Sequence, residues 1–150
     1  MKNKIANIFI VLMAIFVLGG CELNFFNTTS TPESMVGIYK FESLLVNDED
    51  QTDTMVGPDS TMYYYFGQDG THFTVLSTSG SPYESRNITT YTYNEGSLTV
   101  DTTTYTVYEK NNILYLTTTF GSVDNLQDLV MTFSYVDATT SQAITDYFIN

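Results

Sequence analysis

Between residues 37 and 136 turn signals cut the chain into eight short runs, and this punctuation restricts its folding choices more than any other feature. The runs cover 37–46, 61–66, 71–76, 86–93, 97–100, 103–109, 113–120 and 128–136. They are rich in threonine, tyrosine and β-branched residues, which suit a half-buried pleated surface. Gly67-Gln68-Asp69-Gly70 separates the second run from the third. Its Asp-Gly pair is a strong hairpin signal, because glycine reaches the positive φ that tight hairpin turns require. Residues 77–82, Asn94-Glu95-Gly96-Ser97 and Lys110-Asn111-Asn112 act as further turns, and 121–127 reads as a loop. No helical period intervenes between the runs. The chain therefore reads as all-β, an antiparallel eight-stranded meander. Such a meander avoids open edges by closing into a barrel, or by folding into a flattened barrel or sandwich.

Alternation assigns the faces. Tyr64 and Phe66, Phe73 and Val75, Tyr91 and Tyr93, Tyr105 and Val107, Leu114 and Leu116, and Met131 and Phe133 are expected on one inner face. Thr74, Thr90, Thr92, Thr104, Thr106, Thr117 and Thr119 then alternate outward. Run 61–66 is aromatic on both faces, and a slip of one residue swaps them. Before the first run, Thr31-Pro32-Glu33-Ser34 can start one helical turn, with Thr31 as N-cap and Pro32 at the first position. After the last run, Ala143, Ile144, Tyr147 and Phe148 fall on one side of a short helix following Ser141.

The first 20 residues have a different character. Lys2 and Lys4 precede an apolar stretch reaching Leu18, and Gly19-Gly20-Cys21 follows. The stretch is short for a bilayer span, which takes about 20 apolar residues. The layout of positive start, apolar middle and small-residue end is that of an export signal. Leu18-Gly19-Gly20-Cys21 resembles the lipobox of a bacterial lipoprotein. That resemblance implies lipid transfer to the Cys21 thiol, cleavage between Gly20 and Cys21, and acylation of the new amino terminus. Several acyl chains give stable anchoring where one gives only marginal binding. The expected layout is a signal peptide at 1–20, a flexible tether at 21–32 and one β domain at 33–150. The expected place is the cell envelope, at the outer membrane, with the face left open.

Past residue 20 the chain keeps three basic residues, Lys40, Arg86 and Lys110, against seventeen acidic ones, a net charge of about −14. Nucleic acid is a poor partner for such a surface, since phosphate binding needs a basic patch. Anionic headgroups also repel it, so membrane affinity rests on the acyl chains. Cys21 is the only cysteine, which leaves no disulfide within the chain.

The order of segments resembles the lipocalin-like domain of many bacterial lipoproteins. Gly37-Ile38-Tyr39 is similar to that family's opening Gly-x-Trp. Tyr65-Phe66-Gly67-Gln68-Asp69-Gly70-Thr71 resembles its aromatic strand and Asp-Gly turn. Asn112-Ile113-Leu114-Tyr115-Leu116 resembles its late alternating strand. The resemblance covers about residues 33–137. The chain departs from the pattern in having no tryptophan and no clear arginine near the barrel's end. What the resemblance implies is an eight-stranded barrel and no particular ligand, because a fold does not name a function.

Two interiors are open to such a barrel: a small cavity, or a core filled by side chains. The candidate lining of a cavity is Tyr64, Phe66, Phe73, Tyr91, Tyr93, Tyr105, Leu114, Leu116 and Phe133. In the solid-core alternative the chain is an interaction module, contacting an envelope protein or glycan through loops and an exposed patch within Tyr63-Tyr64-Tyr65. His72, the only histidine, is surrounded by no nucleophile motif. The simpler expectation for it is a strand histidine that is exposed or capped by a hydroxyl. Asp48, Asp50, Asp53 and Asp59 form an acidic loop with a partial resemblance to a calcium-binding loop. The glycine that such a loop needs at its sixth position is replaced by Asp53. A solvated acidic loop is the default. Neither an enzyme nor a cofactor is expected.

Overall fold

The computed structural model describes residues 29–79 and 83–148. The expected signal peptide 1–20, Cys21 and the rest of the expected tether to residue 28, residues 80–82 of the 77–82 turn and residues 149–150 lie outside the described residues. The fold is an antiparallel eight-stranded closed barrel with one short C-terminal helix, as the punctuation implied. In chain order the elements are β1 (Thr29–Ser30), β2 (Gly37–Val46), β3 (Glu49–Asp50), α1 (Thr52–Val56), β4 (Ser60–Phe66), β5 (Thr71–Thr78) and β6 (Glu84–Asn94). They are followed by β7 (Ser97–Val100), β8 (Thr103–Lys110), β9 (Ile113–Ser122), β10 (Asn125–Tyr135) and α2 (Ala138–Phe148). From β4 to β10 each strand pairs with the next, β4 also pairs β2, and β10 closes the ring onto β2.

Local chemistry sets the turns. Gly67 and Gly70 close the β4–β5 turn through Gly67 N to Thr71 O at 2.7 Å and Gly70 N to Gly67 O at 3.1 Å. The Asp69 side chain accepts from Thr71 N at 3.0 Å. Asn111 and Asn112 both have positive φ, 54° and 61°, as a two-residue turn matched to strand twist requires. A bulge in β2 lies opposite Thr132 and Phe133, where Ser43 and Phe41 are the successive partners. The extra residue, Glu42, shifts the phase so that Tyr39, Phe41 and Leu44 all join the inner cluster.

The barrel interior holds Met35, Tyr39, Phe41, Met62, Tyr64, Phe66, Leu98, Val107, Leu114, Leu116, Met131 and Phe133, with Tyr91, Tyr93 and Tyr105 packed against them. A second cluster lies outside the barrel, where Ile38, Phe73 and Val75 meet Ile144 of α2. The inner-face expectation for Phe73 and Val75 is thereby corrected. On β5 it is His72 that faces the interior cavity, with Thr74, while Phe73 and Val75 are covered from outside by α2. Tyr63 and Tyr65 belong to the same outer cluster, which explains the two aromatic faces of β4 and removes the exposed Tyr63–Tyr65 patch.

The helix begins earlier than Ser141. Asp137 caps it, accepting from Thr139 N at 2.9 Å and Thr140 N at 3.0 Å, and these bonds hold its carboxyl below the usual range. No helical turn forms at Thr31–Ser34. Residues 31–34 are irregular with a bend at Glu33, and just before them β1 pairs with Glu109 and Lys110 of β8. The last part of the expected tether is thus bonded to the barrel.

Candidate functional site

Opposite ends of the barrel differ in packing. At one end lie the β4–β5, β6–β7 and β8–β9 turns, the start of β2 and the end of β10. Met35 plugs this end and is 1% exposed. The Tyr93 hydroxyl donates to Pro32 O at 2.5 Å, and the Tyr91 hydroxyl donates to Gly67 O at 2.8 Å. Tyr39, Leu98, Val107, Leu114 and Phe133 fill the space behind them. Toward the other end the filling stops and a cavity of about 450 Å³ opens. That volume lies within the roughly 300–1,000 Å³ usual for small-molecule pockets.

The cavity follows from which residues point inward on β5, β6 and β7. Thr74, Thr89 and Val100 supply small side chains where the closed end has rings. Strand β7 is only four residues long, so the β7–β8 turn at Asp101 comes down to the cavity wall. Leu44, Leu116, Leu129 and Met131 form the apolar side opposite, and Met55 of α1, 38% exposed, stands at the mouth. Tyr64, Phe66 and His72 form the aromatic part of the wall, the last two next to the β4–β5 turn at the inner end. Burial pushes the phenol of Tyr64 well above its usual range, and the neighbouring Tyr105 adds to the effect. Tyr105 is also pushed up, chiefly by burial.

Of the residues expected to line a cavity, Tyr64, Phe66, Tyr105 and Leu116 do so. Tyr91, Tyr93, Leu114 and Phe133 face the interior but belong to the packed end. Phe73 is outside, stacked on Tyr65 at 4.5 Å and touching Phe148 at 5.6 Å between centroids. Thr74, Thr89, Val100, Asp101 and His72 were missed. For His72 and Thr74 the signal is the second apolar face: the apolar side of the C-terminal helix needs an apolar strand face to cover, and Phe73 with Val75 provide it.

His72 is neither exposed nor capped. It is 5% exposed, and neither ring nitrogen has a hydrogen-bond partner among the described residues. Its ring packs against Phe66 at 4.7 Å and Tyr64 at 5.5 Å between centroids. Desolvation lowers its pKa to about 4, so the ring is neutral near pH 7. A histidine-activated nucleophile needs a hydrogen bond between the two, and His72 makes none. Among the described residues no group of three or more His, Cys, Asp or Glu is placed to hold an ion. Asp50 accepts from Thr52 N at 2.9 Å and so serves the turn into α1, while Asp48, Asp53 and Asp59 do not converge on it.

One surface feature stands apart. The β9–β10 hairpin tip exposes Phe120, Leu126 and Val123, the last at 92%. No helix among the described residues is long and apolar enough to cross a membrane. The chain matches no protein-family model, no curated protein and no solved structure.

Proposed function

We propose that the chain is a lipid-anchored lipoprotein of the bacterial envelope, held by acyl chains on Cys21, whose lipocalin-like barrel binds a small apolar molecule. The observation that carries the binding part is the 450 Å³ cavity with its largely apolar wall in an otherwise packed barrel. Apolar area removed from water on binding is worth about 25 cal/mol per Å² before the costs of association. The anchoring part rests on Leu18-Gly19-Gly20-Cys21 and the lysines before the apolar run. The function proposed is binding; among the described residues the ring nitrogens of His72 have no hydrogen-bond partner.

The two parts fit geometrically. β1 joins the barrel beside the β8–β9 turn, at the packed end. Eight residue steps separate Cys21 from Thr29 and span at most about 28 Å. An anchor at Cys21 therefore holds the packed end toward the bilayer and turns the mouth away from it.

Native mass spectrometry of the protein purified from its host tests the binding reading. The expected result is a co-purifying small apolar molecule that is lost from Val100→Trp, which fills the cavity. Wild-type protein free of any adduct that also fails to take up apolar probes refutes it. A second reading, contact with an envelope protein, is favoured by the bare hairpin tip at Phe120, Val123 and Leu126.

A further inference from the structure

We infer that the cavity selects an uncharged ligand with an apolar body and a hydroxyl group, and that His72 is the residue that reads the hydroxyl. The inference rests on the binding reading above and adds the chemistry of the ligand.

His72 is a wall residue of the cavity, and both its ring nitrogens are buried without a partner among the described residues. A buried polar group left unpaired is unusual, because it has lost water and gained nothing. Neutral imidazole carries one donor and one acceptor. A hydroxyl can serve either nitrogen, donating to one or accepting from the other. The nitrogens are shielded from solvent in the present orientation, in a ring that packs against Phe66 and Tyr64. A half-turn about the Cβ–Cγ bond keeps the outline of the ring and exchanges the places of nitrogens and carbons. In the inferred bound state the ring is turned this way, which places nitrogen where carbon now lies without changing the ring's outline. Across the β5–β6 pairing, Thr89 stands opposite His72 and also lines the cavity. His72, Thr74 and Thr89 thus put polar groups on the β5–β6 side, with Tyr64, Tyr105 and Asp101 the other polar lining and Leu44, Leu116, Leu129 and Met131 the apolar part.

Charge narrows the class. An anionic ligand meets Asp101 in the cavity wall and a domain with a large acidic excess. A neutral imidazole offers no charge to offset burying a carboxylate. An uncharged head avoids both costs.

Three probes of one shape separate the possibilities in calorimetry at pH 7.4 on the full chain: naphthalene, 2-naphthol and 2-naphthoate. The expected order has 2-naphthol about tenfold tighter than naphthalene, the size of one net hydrogen bond, and 2-naphthoate weakest. His72→Leu should bring 2-naphthol and naphthalene within about twofold of each other. His72→Gln, which keeps a donor and an acceptor, should restore the preference. In the wild type the imidazole ¹⁵N resonances report without any substitution, because the chain has one histidine. They should move with 2-naphthol and stay with naphthalene. Equal binding of naphthalene and 2-naphthol, unmoved imidazole resonances, or tighter binding of 2-naphthoate overturns the inference and leaves the apolar-binding reading intact. Failure of all three to bind overturns both.

Discussion

Acid should weaken this domain through His72 as the pH falls below about 6.5. The unfolded chain carries an ordinary histidine, with a pKa near 6.5, and burial lowers the folded value to about 4. The folded chain therefore binds this proton more weakly than the unfolded chain. The stability contributed by the neutral ring is complete above pH 6.5 and falls as pH drops from 6.5 toward 4. Each tenfold difference in proton affinity between the folded and unfolded chains is worth about 1.4 kcal/mol, so the full effect is about 3 kcal/mol, and the part between pH 7 and pH 5 is about 2 kcal/mol. The groups lining the same cavity are the phenols of Tyr64 and Tyr105, neutral throughout this range, and Asp101. The carboxyls of Asp50, Asp69 and Asp137 are held low by hydrogen bonds to Thr52, Thr71 and Thr140 and act only at lower pH. Urea unfolding of wild type and His72→Leu at pH 7, 6 and 5 measures the difference. The variant should be at least as stable at pH 7, since it removes an unpaired polar group from an apolar site. By pH 5 it should have gained about 2 kcal/mol over wild type. Parallel losses in the two proteins would refute the argument, because they would show that His72 is not desolvated in the fold.

Three further outcomes are expected. Ile144→Ala removes the one fully buried side chain of α2 and should cost about 2–5 kcal/mol, read by urea unfolding, with earlier proteolysis within 138–148. Gly121→Val places a Cβ about 2.2 Å from Asn125 O at a φ of +115°, and should lower stability by about 1–3 kcal/mol without changing ligand uptake. Cys21→Ser should move the protein from the membrane fraction to the soluble fraction, and continued membrane retention would exclude anchoring through this thiol.

Strand existence and order were legible because turn chemistry is local. Asp69-Gly70 and Asn111-Asn112 announce their hairpins from a few residues each, and β2 and β7 have the bounds the sequence implied. Facing was legible wherever only one side of a strand was apolar. It failed on β5, where Phe73 and Val75 outweigh His72 and Thr74 on any hydropathy count, yet are buried by a helix some seventy residues later. That contact is long-range, and no local pattern contains it. The cavity was half legible for the same reason. Aromatic residues such as Tyr64 and Phe66 advertised an apolar interior, whereas the space itself comes from small residues, Thr74, Thr89 and Val100, that alternation had turned outward or passed over.

The cavity and the outer cluster are consequences of one choice of register. Had β5 presented Phe73 and Val75 inward, two large side chains would occupy the position now held by His72 and Thr74. α2 would then face a histidine and a threonine in place of an apolar surface. Ile144 would lose its two apolar partners on β5, and the interior beside Thr89 would be filled. The observed register buries Phe73, Val75 and Ile144 together outside the barrel. It also leaves an unpaired imidazole against an internal space. The outer contact favours that register by the apolar area it removes from water, on the order of 1.5–3 kcal/mol for each large side chain. The unpaired imidazole opposes it by about 1–3 kcal/mol. The helix therefore does more than cover one side of the barrel. By holding Phe73 and Val75 outward it stabilises the arrangement in which β5 keeps His72 and Thr74 in the cavity wall.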